Sequence, residues 1–437
     1  MRNARLMLLA LAAALLVFAA GPVRAEPIEI EWWHGMSGTL GDRLQDIVNH
    51  FNASQNKYKV VASYKGTYVD VMQQAIAAYR GGKQPDILQI YEVGTQTMIS
   101  SGAVVQVQDM MKEQGYNIDW SKYVQPVIGY YQASDGKLWS MPFNSSTPIF
   151  YYNIDQLAKA GISQPPATWQ ELFADAKKLK ASGQDCALTV GWQFWTQIEN
   201  YSALHNIPFA TESNGYDGLG ARLTVNNPQV VKHIAELQQM AKDGTFSYEG
   251  RTAQGAAPAF ASGKCSMIIT STGDYSNIQD QAKFKFDATY MPVEEGTKPQ
   301  SSMIGGATLW VMKGKPADHY AGVAAFFNFI AGTDNQVFWH ENTGYLPITV
   351  AAYEKAKAEG FYLKKPALEI AIKQLTRAAP NKNSRGVRLG NLAQINVVFD
   401  EELENVWAQK KTAQQALDDA VRRSDEIVKQ FQELYSK

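Results

Sequence analysis

Short clusters of hydroxyls, a single carboxylate and flat aromatic rings recur along this chain where strands are expected to end. Tyr64-Lys65-Gly66-Thr67-Tyr68 and Tyr91-Glu92-Val93-Gly94-Thr95 are the first two. Asn144-Ser145-Ser146-Thr147-Pro148, Gly191-Trp192-Gln193-Phe194-Trp195 and Thr270-Ser271-Thr272-Gly273 follow, and then Gly305-Gly306-Ala307 and Thr343-Gly344-Tyr345-Leu346-Pro347. Each cluster alone reads as a turn or as core, because Gly and Asn are ordinary turn residues. Together they supply what a polyol or sugar-like ligand requires: hydroxyl and N–H donors, an accepting acid, and aromatic faces for the carbon skeleton.

Patterns for catalysis are missing. The six histidines, His34, His50, His205, His233, His319 and His340, share no metal-ligand spacing, and His-Glu-x-x-His, Cys-x-x-Cys and Gly-x-Ser-x-Gly are absent. The P-loop signature is absent as well, so nucleotide hydrolysis by this chain is not expected. Asp400-Glu401-Glu402-Leu403-Glu404 is a carboxylate cluster, but it precedes Val406 and Trp407 on a helix and reads as a solvated face. No metal and no cofactor is expected.

The elements that position these clusters alternate. Strands are expected at Ile28–Trp33, Tyr58–Ser63 and Asp86–Tyr91, separated by helices with apolar faces at Leu40, Leu44, Ile47, Val48 and Phe51 and at Val71, Ala75 and Ala78. A β-α-β-α-β order makes a parallel sheet covered by helices. The same order restarts after Phe150–Asn153. There Thr168-Trp169-Gln170-Glu171 reads as a capping box opening a helix to Lys180, and strands follow at Ala187–Trp192 and Ser266–Thr270. A helix at Pro228–Lys242 carries Val231, Ile234, Leu237 and Met240 on one face. A strand at Thr308–Met312, an apolar helix from Ala321 to Ile330 and a C-terminal helix over Thr412–Tyr435 complete the pattern. Two α/β lobes in succession fit, with ligand held at the carboxyl ends of strands between them.

Arg2 and Arg5, the apolar run Leu6–Ala20 and the small residues Val23 and Ala25 read as an export signal cut after Ala25. The run of 15 residues is shorter than the roughly 20 a membrane-spanning helix needs. Without residues 1–25 the chain keeps 38 basic against 42 acidic residues, a net −4, with no basic stripe for nucleic acid. Cys186 and Cys265 are the only cysteines. In an exported protein they could close a disulfide or stay as two buried thiols, and spacing does not choose between these.

Trp32-Trp33-His34-Gly35-Met36, Gly38-x-Leu40-Gly41 and Gly344–Thr349 resemble the family 1 extracellular solute-binding proteins, the maltodextrin-binding group. Tyr64-Lys65-Gly66-x-Tyr68, Gln89–Thr95, Phe143–Pro148, Gly191-Trp192-Gln193-x-Trp195, Ile304–Ala307 and Arg388-Leu389-Gly390-Asn391 resemble, within that group, the periplasmic sn-glycerol-3-phosphate-binding proteins of ABC importers. The likeness runs through essentially the whole chain beyond residue 25. It implies an α/β, two-lobed periplasmic binding protein fold of type II, with a hinge and an interlobe cleft. The expected division is a signal peptide over 1–25, then lobe I over 26–147 and lobe II over 148–280. Lobe I then returns over 281–335, and a C-terminal helical part of lobe II occupies 336–437.

The resemblance further implies a periplasmic monomer that is not an enzyme and hands glycerol-3-phosphate or a glycerophosphodiester to an inner-membrane permease. Tyr68 and Glu92 would hold the ligand from the first lobe, with Glu92 accepting from glycerol hydroxyls. Ser146, Ser271, the Gly306 N–H and Tyr345 would donate to phosphate oxygens, and Trp192 and Trp195 would wall the glycerol. The family pattern has an Arg after Gln-Ile to pair with the phosphate, where this chain has Asn396, with Arg385 and Arg388 nearby. The alternatives are a binding protein for a neutral sugar or polyol and, from a different class, an exported hydrolase.

Overall fold

The computed structural model of the protein describes residues 26–436. The expected export signal lies outside the described residues. Among the described residues ten strands form two sheets: β1 Ile28–His34, β2 Tyr58–Tyr64, β3 Ile87–Tyr91, β4 Val104–Val105, β5 Met141–Ser146, β6 Pro148–Asn153, β7 Cys186–Val190, β8 Cys265–Ser271, β9 Phe286–Thr289 and β10 Gly305–Met312. The first sheet runs β2-β1-β3-β10-β4, with β5 also on β10, and the second runs β7-β8-β6-β9. The expected parallel pairing holds for β1 with β2 and β3 and for β7 with β8, whereas β10 and β6 run antiparallel to their neighbours. Both sheets are therefore mixed.

Helices cover both sheets because their apolar stripes have nowhere else to go. Gly38–Ser54 buries Leu44, Ile47, Val48 and Phe51. Ala317–Ala331 lies so close to β1 that a Cβ on Gly322 would stand 2.7 Å from Ile30 Cδ1. Thr168 and Glu171 close the expected capping box at the start of Trp169–Ala181. Pro228–Lys242 turns Val230 and His233 inward beside Ile234, Leu237 and Met240, where Val231 was expected.

The chain crosses between sheets at Thr147, between β5 and β6, and again between β9 and β10. Thr147 binds the two crossings together: its Oγ1 lies 2.6 Å from Ser302 Oγ and 3.1 Å from the Met303 carbonyl. Two expected lobe boundaries need correction. β9 is a short edge strand on β6, so the segment 281–335 does not return as one piece and rejoins the first sheet at β10. The helix Thr333–Thr343 belongs with the first lobe, since Trp339 stacks on Phe143 at 4.7 Å and Phe338 packs on His50. Apolar area, rather than chain order, decides that placement.

Cys186 and Cys265 stand opposite each other in the β7–β8 register and are joined by a disulfide across a Cα separation of 4.6 Å. The 400–404 cluster is not a solvated face. Asp400 and Glu402 are buried, and Glu402 pairs with Lys411 and Arg423 while Glu404 takes both nitrogens of a fork from Arg251. These ion pairs tie the helix Leu392–Trp407 to its neighbours.

Candidate ligand-binding site

Tyr68, Glu92, Ser146, Trp192, Trp195, Ser271, Gly306, Tyr345 and Asn396 all line one cavity of about 220 Å³ between the two sheets. Glu92, Ser146, Trp192, Ser271 and Gly306 come from strand ends, Tyr68 and Trp195 from the starts of helical segments, Tyr345 from a loop and Asn396 from within a helix, a convergence that strand-end placement in an α/β sheet allows. The volume is below the roughly 300–1,000 Å³ of pockets for drug-sized ligands. It suits a small molecule.

On the first-lobe side a relay of buried amides sets two phenols. Gln89 Oε1 accepts from the Gly35 N–H at 2.9 Å, and its Nε2 donates to Asn144 Oδ1 at 2.9 Å. Asn144 Nδ2 then donates to the Tyr68 hydroxyl at 2.8 Å, which lies 3.4 Å from that of Tyr345. Because the Tyr68 oxygen already accepts from an amide, its proton points to Tyr345 or into the cavity. Tyr68 opens a helix capped by Thr67 and Asp70. Tyr345 follows Gly344, whose φ of 87° turns the chain left-handed.

β10 begins with two glycines for steric reasons. A Cβ on Gly305 would stand 2.5 Å from the Trp195 ring, and one on Gly306, at φ 94°, would stand 1.9 Å from the Asn144 carbonyl. Only glycine lets β10 pass there. Trp195 donates its Nε1–H to the Ile304 carbonyl at 3.3 Å and so serves as a wall rather than a donor. It opens a π-helical turn, Trp195–Glu199. Trp192 sits at φ 54°, a left-handed backbone that bulky residues avoid and that recurs at ligand sites. On the second-lobe side Ser271 Oγ accepts from the Gly273 N–H at 3.0 Å, leaving its own proton to donate.

Glu92 is 7% exposed, and burial pushes its carboxyl up to about 8, opposed by the N–H groups of Glu92 and Gly306. Gly306, whose N–H was expected to serve a ligand phosphate, lines the cavity beside Glu92.

Asp274 lines the cavity too and was missed in the sequence, where the hydroxyl cluster ends one residue earlier at Gly273. Burial pushes it up to about 6, opposed by the Thr270 hydroxyl and the Ser271 backbone. Thr252, Gln254 and Asn277 were also missed. They lie on or beside helices, where no strand end marks them. Among the described residues no lysine, arginine or histidine lines the cavity.

The two nearby arginines are used elsewhere. Arg388 is 4% exposed, donates to the Tyr130 and Gln132 carbonyls, and lies 4.6 Å over the Tyr216 ring. Arg385 donates to the Gly129 carbonyl at 2.8 Å and lies 4.2 Å from the centroid of the same Tyr216 ring. Both clamp the end of the first-lobe helix Gln125–Tyr131, where backbone carbonyls carry partial negative charge. Neither reaches the cavity. Asn396, half-buried on the helix Leu392–Trp407, contributes only neutral groups there.

The bacterial extracellular solute-binding protein family matches residues 46–369. The chain is 48% identical over 408 residues to the sn-glycerol-3-phosphate-binding periplasmic protein UgpB of Escherichia coli strain K12, covering 92% of this chain and 93% of that one. It is similar in fold to UgpB from Mycobacterium tuberculosis in complex with glycerophosphocholine, with a TM-score of 0.77, 19% identity, and 93% and 99% of the two chains covered. It is also similar to maltose-bound MalE3 of T. maritima, with a TM-score of 0.75, 15% identity, and 91% and 98% covered.

Proposed function

The chain belongs to the bacterial extracellular solute-binding proteins, and from that premise we propose that it is the periplasmic binding component of an ABC importer. Its ligand is sn-glycerol-3-phosphate or a glycerophosphodiester, which it binds without turnover and delivers to the membrane permease. The observation that carries this reading is the donor set of one small cavity. The hydroxyls of Tyr68, Ser146, Ser271 and Tyr345 and one buried acid, Glu92, face the same space. A phosphate accepts only, so neutral O–H donors suit it, while an acid suits glycerol hydroxyls. The E. coli relative is named for sn-glycerol-3-phosphate and the mycobacterial structure holds glycerophosphocholine, which supports the same ligand class. Trp192 and Trp195 flank the carbon skeleton.

The experiment is tryptophan emission during titration with glycerophosphocholine. Closure around ligand changes the exposure of aromatic walls, so emission should respond in the wild type and respond much less in a Trp192→Ala, Trp195→Ala variant. Unchanged emission response and unchanged affinity in the double variant would remove both rings from the site. Loss of glycerophosphocholine from the mixture over time would contradict binding without turnover.

A further inference from the structure

We propose that Asp274 is a specificity-determining residue that seats a positively charged head group, so the best-matched ligand is a glycerophosphodiester whose second alcohol carries an ammonium group. This rests on the ligand class proposed above and narrows it.

The charge pattern of the cavity carries the inference. Its lining includes two carboxylates, Glu92 and Asp274, and among the described residues no basic side chain. A phosphate monoester would bring about −1.5 to −2 charges into that space, where the ionised Asp274 carboxylate repels it strongly because water is scarce. A phosphodiester with a cationic head brings one negative and one positive charge, and the positive one has a partner waiting.

Asp274 is placed for that role. It lies three residues beyond Ser271, on the turn Thr272–Asp274 whose Gly273 N–H is bound by Ser271 Oγ. A phosphate held by Ser271 therefore leaves its attached head group near the Asp274 carboxylate. Thr270 Oγ1 donates to Asp274 Oδ2 at 2.7 Å and fixes its orientation. Among the described residues no cation contributes to its ionisation. With burial taking Asp274 to about 6 and Glu92 to about 8, Asp274 is the lining acid that is mainly ionised at neutral pH. The half-buried Trp192 and the exposed Tyr64 line the same cavity, and aromatic faces attract ammonium groups.

The test is calorimetric titration of the purified protein with glycerophosphocholine, glycerophosphoglycerol and sn-glycerol-3-phosphate. The two diesters share the phosphate and differ in head-group charge. Glycerophosphocholine should bind on the order of tenfold or more tighter than glycerophosphoglycerol, and Asp274→Asn, which keeps an acceptor for Thr270, should abolish most of that difference. Equal affinity of the two diesters for the wild type would overturn the inference while leaving the ligand class intact. So would an Asp274→Asn variant that weakens both diesters by the same factor, since that marks a structural role. If no phosphorylated ligand binds the wild type, the ligand class itself is wrong and the inference falls with it. The wild-type comparison needs no variant and decides even if Asp274→Asn folds poorly.

Discussion

Two polar regions join the lobes, and they carry opposite charge. The cavity is lined by Glu92 and Asp274, with no basic lining residue among those described. The clamp at the end of Gln125–Tyr131 holds Arg385 and Arg388 over Tyr216, with backbone carbonyls as acceptors. In the clamp, charge is matched within the protein by fixed carbonyl dipoles. In the cavity it is left for a ligand to match. The difference explains why a chain with two arginines close in sequence to its site still presents only neutral donors to an anion: both guanidiniums fasten one lobe to the other.

The comparison breaks most sharply at Arg388. Arg388→Ala removes a buried guanidinium and leaves the Tyr130 and Gln132 carbonyls without it. Hydrogen bonds to charged groups contribute roughly 1.5–3 kcal/mol each, so denaturant unfolding should show a loss of about 3 kcal/mol or more. The order of ligand affinities should stay the same. A selective loss of glycerol-3-phosphate affinity with stability intact would mean that the guanidinium serves the ligand.

Glu92→Gln probes the other region through pH. A folded-state acid raised from its ordinary value to about 8 binds more protons folded than unfolded, so stability falls as pH rises from about 4.5 to about 8. Asp274 and Asp400, raised by burial to about 6 and about 7, act in the same direction. Burial holds His34, His205, His233 and His340 below the ordinary imidazole value, which acts in the opposite direction below about pH 6.5, so Glu92 is read by comparing the variant with the ligand-free wild type. Glu92→Gln should match it at pH 5 and exceed it by a few °C at pH 8. Equal melting of the two proteins at both pH values would mean that Glu92 is well solvated.

The clusters that hold Glu92, Ser146, Ser271 and Gly306 were legible in the sequence because strand ends in α/β sheets face one crevice. The family resemblance, rather than the strand pattern, picked the residues within them, and these line one cavity. Asp274 escaped because it opens a helix rather than closing a strand. The direction of Arg388 was also hidden, since a guanidinium can turn either way and tertiary contact with Tyr216 decides it. The 400–404 acids read as solvated because their partners, Arg251, Lys411 and Arg423, are separated from them in sequence or lie on the next helix. β9 was not expected because four residues at a sheet edge carry too little alternation to register.

Asn396→Arg sharpens the comparison by placing a cation where the cavity has none. A bidentate guanidinium should favour a phosphate monoester over a singly charged diester. Glycerol-3-phosphate should tighten by on the order of tenfold, about 1.4 kcal/mol, and the diesters by less. No change in either affinity would place the phosphate away from Asn396.

The central claim, that this cavity takes a phosphorylated glycerol, is tested most directly by calorimetric titration of the ligand-free wild type with sn-glycerol-3-phosphate, glycerophosphocholine and maltose. The account expects a single-site isotherm for at least one of the phosphorylated ligands and none for maltose, which has no phosphate for the hydroxyl donors of the cavity to hold. Binding of maltose with no heat from either phosphorylated ligand would contradict it.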